Sequence, residues 1–138
     1  MKRAVIIFGE HHSGKSKTIN QYFKPLVGIQ ERQKQFYIKE KIGYILSQSM
    51  EEKENLEKVK IVDKKYLDEV NEMINKYVGY DLLIVATRSE EESYSLKKPV
   101  QEVLRKNEYF VNCIEILKGM DEEYYRMKAN NIYALLDI

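Results

Sequence analysis

Gly9-Glu10-His11-His12-Ser13-Gly14-Lys15-Ser16 is a complete G-x-x-x-x-G-K-[ST] pattern, and the apolar run Ala4-Val5-Ile6-Ile7-Phe8 stands directly before it. At ordinary glycine usage, four fixed positions at this spacing arise by chance in roughly one chain of this length in a few hundred. The context narrows the reading: a buried strand must deliver the loop and a helix must leave it, and the stretch from Lys15 to Phe23 holds no breaker before Pro25. Gly9 and Gly14 permit backbone angles that side chains disfavour, so the N–H groups from Glu10 to Ser16 can turn inward around an anion. Lys15 is then placed to reach the β- and γ-phosphates of a nucleoside triphosphate, Ser16 to offer its hydroxyl to Mg²⁺, and Thr18 to lie beside the α-phosphate. The nucleotide-binding set is Gly9, Glu10, His11, His12, Ser13, Gly14, Lys15, Ser16, Lys17 and Thr18; the side chains of His11 and His12 fill variable positions and point away.

On these residues the chain resembles the P-loop NTPase superfamily. The resemblance implies a three-layer α/β/α domain and ATP or GTP with Mg²⁺ as the bound species. The order strand, phosphate loop, helix, hairpin, helix, strand, helix, strand, helix also resembles small GTPases, although their further motifs are missing. No threonine lies between Thr18 and Thr87, no Asp-x-x-Gly follows the hairpin, and Thr87-Arg88-Ser89-Glu90 stands where a guanine-reading Asn-Lys-x-Asp would be. ATP is therefore the favoured nucleotide, with adenine held by apolar and backbone contacts. A strand ending Ala86-Thr87-Arg88 after a hairpin is similar, too, to short P-loop proteins of bacteria and phages, a likeness that brings no activity with it.

At 138 residues the chain fits one domain, residues 1–138, with little length left over for a separate lid or substrate domain. Twenty-three Lys and Arg balance 22 Asp and Glu, which gives no field to attract nucleic acid or an anionic membrane. The longest wholly apolar stretches are far below a membrane span and no signal-peptide core opens the chain, so a cytoplasmic location is expected. The one cysteine, Cys113, reads as a small buried hydrophobe in the run Phe110–Leu117.

The periodicity predicts a mostly parallel sheet of about five strands with one antiparallel hairpin strand. The first strand is Arg3–Phe8 and the first helix Lys15–Lys24. Gln35–Lys41 and Ile42–Ser47 form the hairpin, whose more apolar second arm lies nearer the sheet centre. Asp63 caps a helix with Leu67, Val70, Ile74 and Tyr77 on one face, and Gly79 ends it. The all-apolar Leu82–Ala86 reads as a parallel strand covered on both faces and neighbouring the first. Pro99 opens a helix that buries Val100, Val103 and Leu104, and Phe110–Leu117 is the last strand. A final helix follows Gly119 with Met120, Tyr124, Met127 and Leu135 as its core stripe. The charge run Glu51–Lys60 reads as a solvated face.

No apolar strand ends in the aspartate that most P-loop proteins use to orient Mg²⁺ through water. Glu51 or Glu52, just past the hairpin, is the substitute, since Mg²⁺ requires oxygen donors, and Gln48 is a candidate to orient the attacking water. Arg88 follows an apolar strand whose carboxyl end opens onto the edge where ligands bind in such sheets. It either stabilises transferring charge or holds an acidic acceptor, or it pairs on the surface with Glu90, Glu91 or Glu92. With Lys15 it makes up the catalytic set. Three functions stay open: a slow NTPase or nucleotide switch, a small kinase, and a sensor that binds without turnover. A protein partner or homo-oligomer is the expected source of whatever the site lacks.

Overall fold

The computed structural model describes residues 1–10, 12–48, 51, 64–89 and 95–138, with the side chains of 64–67 left aside. Strand β1 (Lys2–Gly9) is the hub of the sheet. Its central residues Ala4, Val5, Ile6 and Ile7 are fully buried, as a strand with neighbours on both edges and helices on both faces demands. β4 (Leu82–Arg88) lies parallel on one side of it and β5 (Tyr109–Glu115) parallel on the other. β3 (Lys41–Leu46) runs parallel along the far edge of β4, and β2 (Gln35–Ile38) closes that side antiparallel to β3, giving the order β2-β3-β4-β1-β5. Thus the strand 82–88 neighbours β1, and the hairpin's second arm is the inner one.

The hairpin turns two residues earlier than its apolar runs suggest. Ile38 pairs with Lys41, and the tip is Lys39-Glu40, with Lys39 at φ 56. Alternation decides this: Phe36 and Ile38 must face the core while Gln35 and Tyr37 face outward, and extending β2 to Lys41 would add three charged residues to a short edge strand.

The period of two along β4 divides the core. Leu82, Ile84 and Ala86 join Val5, Ile7, Ile19, Phe23 and Ile132 on one face, and Leu83 and Val85 join Ala4, Ile6, Val70, Ile74, Val100 and Leu104 on the other. The first face is covered by α1 (residues 15–26) and α4 (Glu122–Leu136). The second is covered by α2 (Lys64–Asn75) and α3 (Lys97–Lys106). Helices on both faces of a five-stranded, mostly parallel sheet fit a three-layer α/β/α arrangement.

Three of these four helices depart from their sequence reading in an instructive way. α1 does not stop before Pro25. It is α-helical over Lys15–Lys17, π-helical over Thr18–Phe23 and α-helical again over Lys24–Leu26. A proline ring in a regular helix clashes with the carbonyl four residues back, here Gln21, and a widened turn just ahead of the ring relieves that crowding. α2 ends at Asn75, ahead of the turn that contains Gly79; the Asp63 cap lies outside the described residues. α3 buries Val100, Val103 and Leu104 as read. α4 starts after Gly119, which takes φ 74 in the preceding turn, and Asp121 caps it by accepting the Tyr124 N–H at 2.9 Å.

The core stripe of α4 is one position away from the expected one. Tyr125, Ala129, Ile132 and Leu136 are buried, whereas Met120 and Met127 are 43% and 50% exposed and Tyr124 and Leu135 are half-buried. The small Ala129 lets α4 lie close to the π-helical turn, and a hydrophobicity reading gave it too little weight. β5 likewise departs from expectation. It is an edge strand, with Phe110 53% exposed and Cys113 half-buried rather than in the core.

Gly43 in β3 faces the fully buried Phe36 ring, and a Cβ there would sit 2.3 Å from its Cζ. Phe36 is held in turn by an edge-to-face contact with Phe23, ring centroids 5.4 Å apart. Gly43→Ala is therefore expected to destabilise the fold by about 1–3 kcal/mol through overpacking. Urea denaturation checks this, and an unchanged midpoint would mean the ring can shift freely.

Candidate functional site

The carboxyl ends of β1 and β4 meet where Gly9 pairs with Arg88. Beyond Gly9 the chain turns tightly: the Ser13 N–H donates to Glu10 O at 3.0 Å, His12 takes φ 61, and Gly14 takes φ 106 immediately before the first helical residue. Neither glycine has room for a side chain. A Cβ on Gly9 would lie 2.4 Å from Ile116 O and 2.6 Å from Ser13 Oγ, and one on Gly14 would lie 2.6 Å from Cε1 of Tyr125. The turn is thus held by backbone on one side and an aromatic ring on the other.

Lys15 folds back into this turn. Its side chain is 7% exposed, and Nζ donates to Gly9 O at 2.7 Å and to Glu10 O at 3.3 Å. A desolvated ammonium requires such oxygens, and the turn supplies them from its own backbone. Ser16 is exposed on the first turn of α1, as are Glu10 and His12 before it. Lys17 forms an ion pair with Glu122 and stands 5.4 Å from the Tyr125 ring centroid. Thr18 is fully buried and its hydroxyl donates to Gly14 O at 2.8 Å, along the helix. His11 and Glu52 lie outside the described residues.

Glu51 is brought into the same region. It is fully buried, and its Oε2 accepts N–H groups from Arg88 at 2.9 Å and Leu96 at 2.6 Å. Burial pushes its pKa up; those backbone N–H groups, its own, and the Lys15 charge pull it partly back. Its other oxygen, Oε1, has no hydrogen-bond partner, and the same holds for the buried hydroxyls of Ser13 and Thr87. Three unsatisfied buried oxygens are thus gathered at the carboxyl ends of β1 and β4, and each costs about 1–3 kcal/mol to leave unpaired.

Arg88 is 7% exposed; Glu90, Glu91 and Glu92, its partners in the alternative reading, are outside the described residues. Alternation along β4 puts its side chain on the α1 face of the sheet. Its backbone is fixed at both ends, the N–H on Glu51 and the carbonyl by the Ser95 hydroxyl at 2.8 Å. Gln48 is exposed beyond β3.

Sequence reading missed the other wall of the site. A cleft of about 470 Å³ opens between Gly9 and Glu10, Ser89 after β4, and residues 115–118 with Met120 after β5. Tyr125 braces that wall to the turn. The spacing 125, 129, 132, 136 is the signal that would have found it, had Ala129 been counted as core. Among the described residues no group of three or more His, Cys, Asp or Glu could hold a metal. Likewise, no helix of the described residues is long and apolar enough to cross a membrane.

No family model matches the chain, and comparison with curated proteins and with solved structures gave no significant match.

The buried Glu51 makes stability depend on pH in metal-free buffer. Its native pKa lies above the ordinary 4.5, so over the interval between the two the folded state holds more protons than the unfolded chain. The favourable contribution is complete below about pH 4.5 and is lost as pH rises through the native value. Glu51→Gln removes this slope. Thermal melts with a chelator are expected to show the variant gaining on wild type as pH rises above about 4.5. A pH-independent difference would show that the carboxyl is not the titrating group.

Proposed function

We propose that this protein binds a nucleoside triphosphate, ATP in preference to GTP, through a P-loop at Gly9–Thr18 and hydrolyses it slowly or uses it as a switch. The observation that carries the reading is Lys15, a buried cation held by Gly9 O and Glu10 O inside a turn that has no space for a side chain at either glycine. A phosphate entering the turn would replace neutral carbonyls with charged oxygens as partners for Nζ, and charge-assisted bonds are about twice as strong as neutral ones. Backbone N–H groups of such a turn and of the start of α1 would add to the hold on that anion.

The residues present fit Mg²⁺. Ser16 offers an exposed hydroxyl on the first turn of α1, and Glu51 offers Oε1, a buried carboxylate oxygen with no protein donor. Both are the hard oxygen donors this ion takes. Bound there, the ion would neutralise phosphate charge and, as a cation beside the carboxylate, oppose the burial that raises the pKa of Glu51. The site has neither an aspartate at the end of β4 nor a glutamine buried beside Lys15. Intrinsic hydrolysis is accordingly expected in the slow range of the superfamily, about 10⁻⁴ to 10⁻² per second. A protein partner or second copy of the chain is the natural source of acceleration.

One observation favours a second reading, transfer of the γ-phosphate to a small acceptor. Arg88 is buried at the same sheet edge, in register with Gly9, where a guanidinium can hold an anionic acceptor or developing charge.

Titration calorimetry with MgATP and MgGTP tests the primary reading. Lys15→Ala is expected to weaken binding about 10- to 100-fold, the worth of a charged hydrogen bond. Equal affinity for wild type and variant would overturn it, and a clear preference for GTP would overturn the choice of ATP. Turnover of γ-labelled ATP separates the two readings: label in free phosphate supports the NTPase or switch, and label on a small molecule from a metabolite extract supports the kinase. In the kinase, Arg88→Ala is expected to abolish transfer while nucleotide affinity stays nearly intact.

A further inference from the structure

Tyr125, on the first turn of α4, is 5% exposed and reaches across 112 positions of sequence to the turn that follows β1. Its hydroxyl proton lies between two carbonyls, Ser13 O and Leu117 O, each at 3.1 Å, and its oxygen accepts the Met120 N–H at 3.3 Å. The ring lies against Gly14. One phenol therefore touches the turn, the strand end after β5 and the loop leading into α4.

The contact to Ser13 O has a geometric consequence. The Ser13–Gly14 peptide is planar and trans, so its C=O and N–H point in opposite directions. Drawing the carbonyl outward onto Tyr125 turns the Gly14 N–H away from Tyr125, toward the inside of the turn that Lys15 occupies. Resting on the nucleotide reading above, we propose that Tyr125 is a positioning residue for phosphate binding: it fixes the orientation of the Gly14 N–H and thereby preorganises the cradle for the phosphates nearest that amide. It need not touch nucleotide to do this. Lys17, paired with Glu122 on the same first turn of α4, ties the adjoining end of α1 to the same support.

A neighbouring tyrosine supplies a matched control. Tyr124 also uses its hydroxyl as a brace, accepting the Leu117 N–H at 2.9 Å and donating to Glu115 O at 3.4 Å, both at the end of β5 rather than in the 9–16 turn. Tyr125→Phe keeps the ring against Gly14 and removes only the hydroxyl, and Tyr124→Phe removes a hydroxyl of similar structural worth.

The test combines calorimetry and amide NMR on the full chain. Against MgATP and against magnesium pyrophosphate, Tyr125→Phe is expected to lose about three- to tenfold in affinity, the net worth of one neutral hydrogen bond, and Tyr124→Phe to lose none. In ligand-free protein the Gly14 amide resonance is expected to move in Tyr125→Phe and to stay in place in Tyr124→Phe. Thermal melts of the two variants report the purely structural part. Equal affinities of wild type and Tyr125→Phe, or a Gly14 amide that moves equally in both variants, would overturn the positioning role and leave nucleotide binding untouched. Failure of wild type to bind either ligand would instead overturn the nucleotide reading, while the Gly14 amide still reports whether Tyr125 sets that peptide.

Discussion

A buried ammonium group must be solvated by the protein, and the arrangement around Lys15 follows from that requirement. Gly9 O and Glu10 O can approach Nζ only because the chain doubles back between them and Gly14. That reversal in turn requires two positions without a Cβ, one against Ile116 O and the other against Tyr125. The strand β1 has to be central so that its end is flanked by β4 and β5, which contribute the walls. Ser89 N–H donates to Gly9 O at 3.1 Å, and Ile116 N–H to Phe8 O at 2.8 Å, so hydrogen bonding between strands continues to the mouth of the turn.

Glu51 answers a second requirement on the other side. Past Arg88 the chain leaves β4, and its backbone N–H and that of Leu96 at the start of α3 would be buried without acceptors. One carboxylate oxygen serves both. The cost is a carboxyl group taken out of water, visible as its raised pKa. A group that closes the protein backbone with one oxygen keeps the other for a different partner, and among the described residues of the site Oε1 is the buried acidic oxygen without one.

Where the sequence was legible, local chemistry alone determined the outcome. Wholly apolar runs such as Leu82–Ala86 can only be strands covered on both faces, and a glycine pattern after such a run can only be a tight turn into a helix. Errors arose where a distant neighbour chose between near-equal local options. Tyr124 and Tyr125 are adjacent residues of the same type, and only the position of Gly14 decides which of them is buried. Phe110 looks like core until β5 proves to be an edge. Pro25 looks like a stop until the turn before it widens. Within the site, Gly9, Gly14 and Lys15 were legible because their role depends on spacing within eight residues. The choice of Glu51 rested on the hairpin's length, and the cleft beside residues 115–118 was invisible because it is lined largely by chain direction rather than by distinctive side chains.

The π-helical turn at Thr18–Phe23 sets the phase of α1. In a regular helix the buried positions Thr18 and Ile19 would be followed by residues 22 and 23, but the described burial falls on Phe23 and Lys24, one step later. The wider turn therefore works as a one-residue insertion that has been kept. It separates the duties of the helix, whose amino half serves the turn around Lys15 while its carboxyl half faces the Phe36 contact and the carbonyl of Glu31, which Lys24 holds. In the currency of chain length rather than side-chain chemistry, this is a segment that a one-residue deletion would regularise and a further insertion would throw out of phase. Losing a single residue there would restore an ordinary helix with Phe23 and Lys24 still on the core face, whereas gaining one would carry them about 100° around its axis.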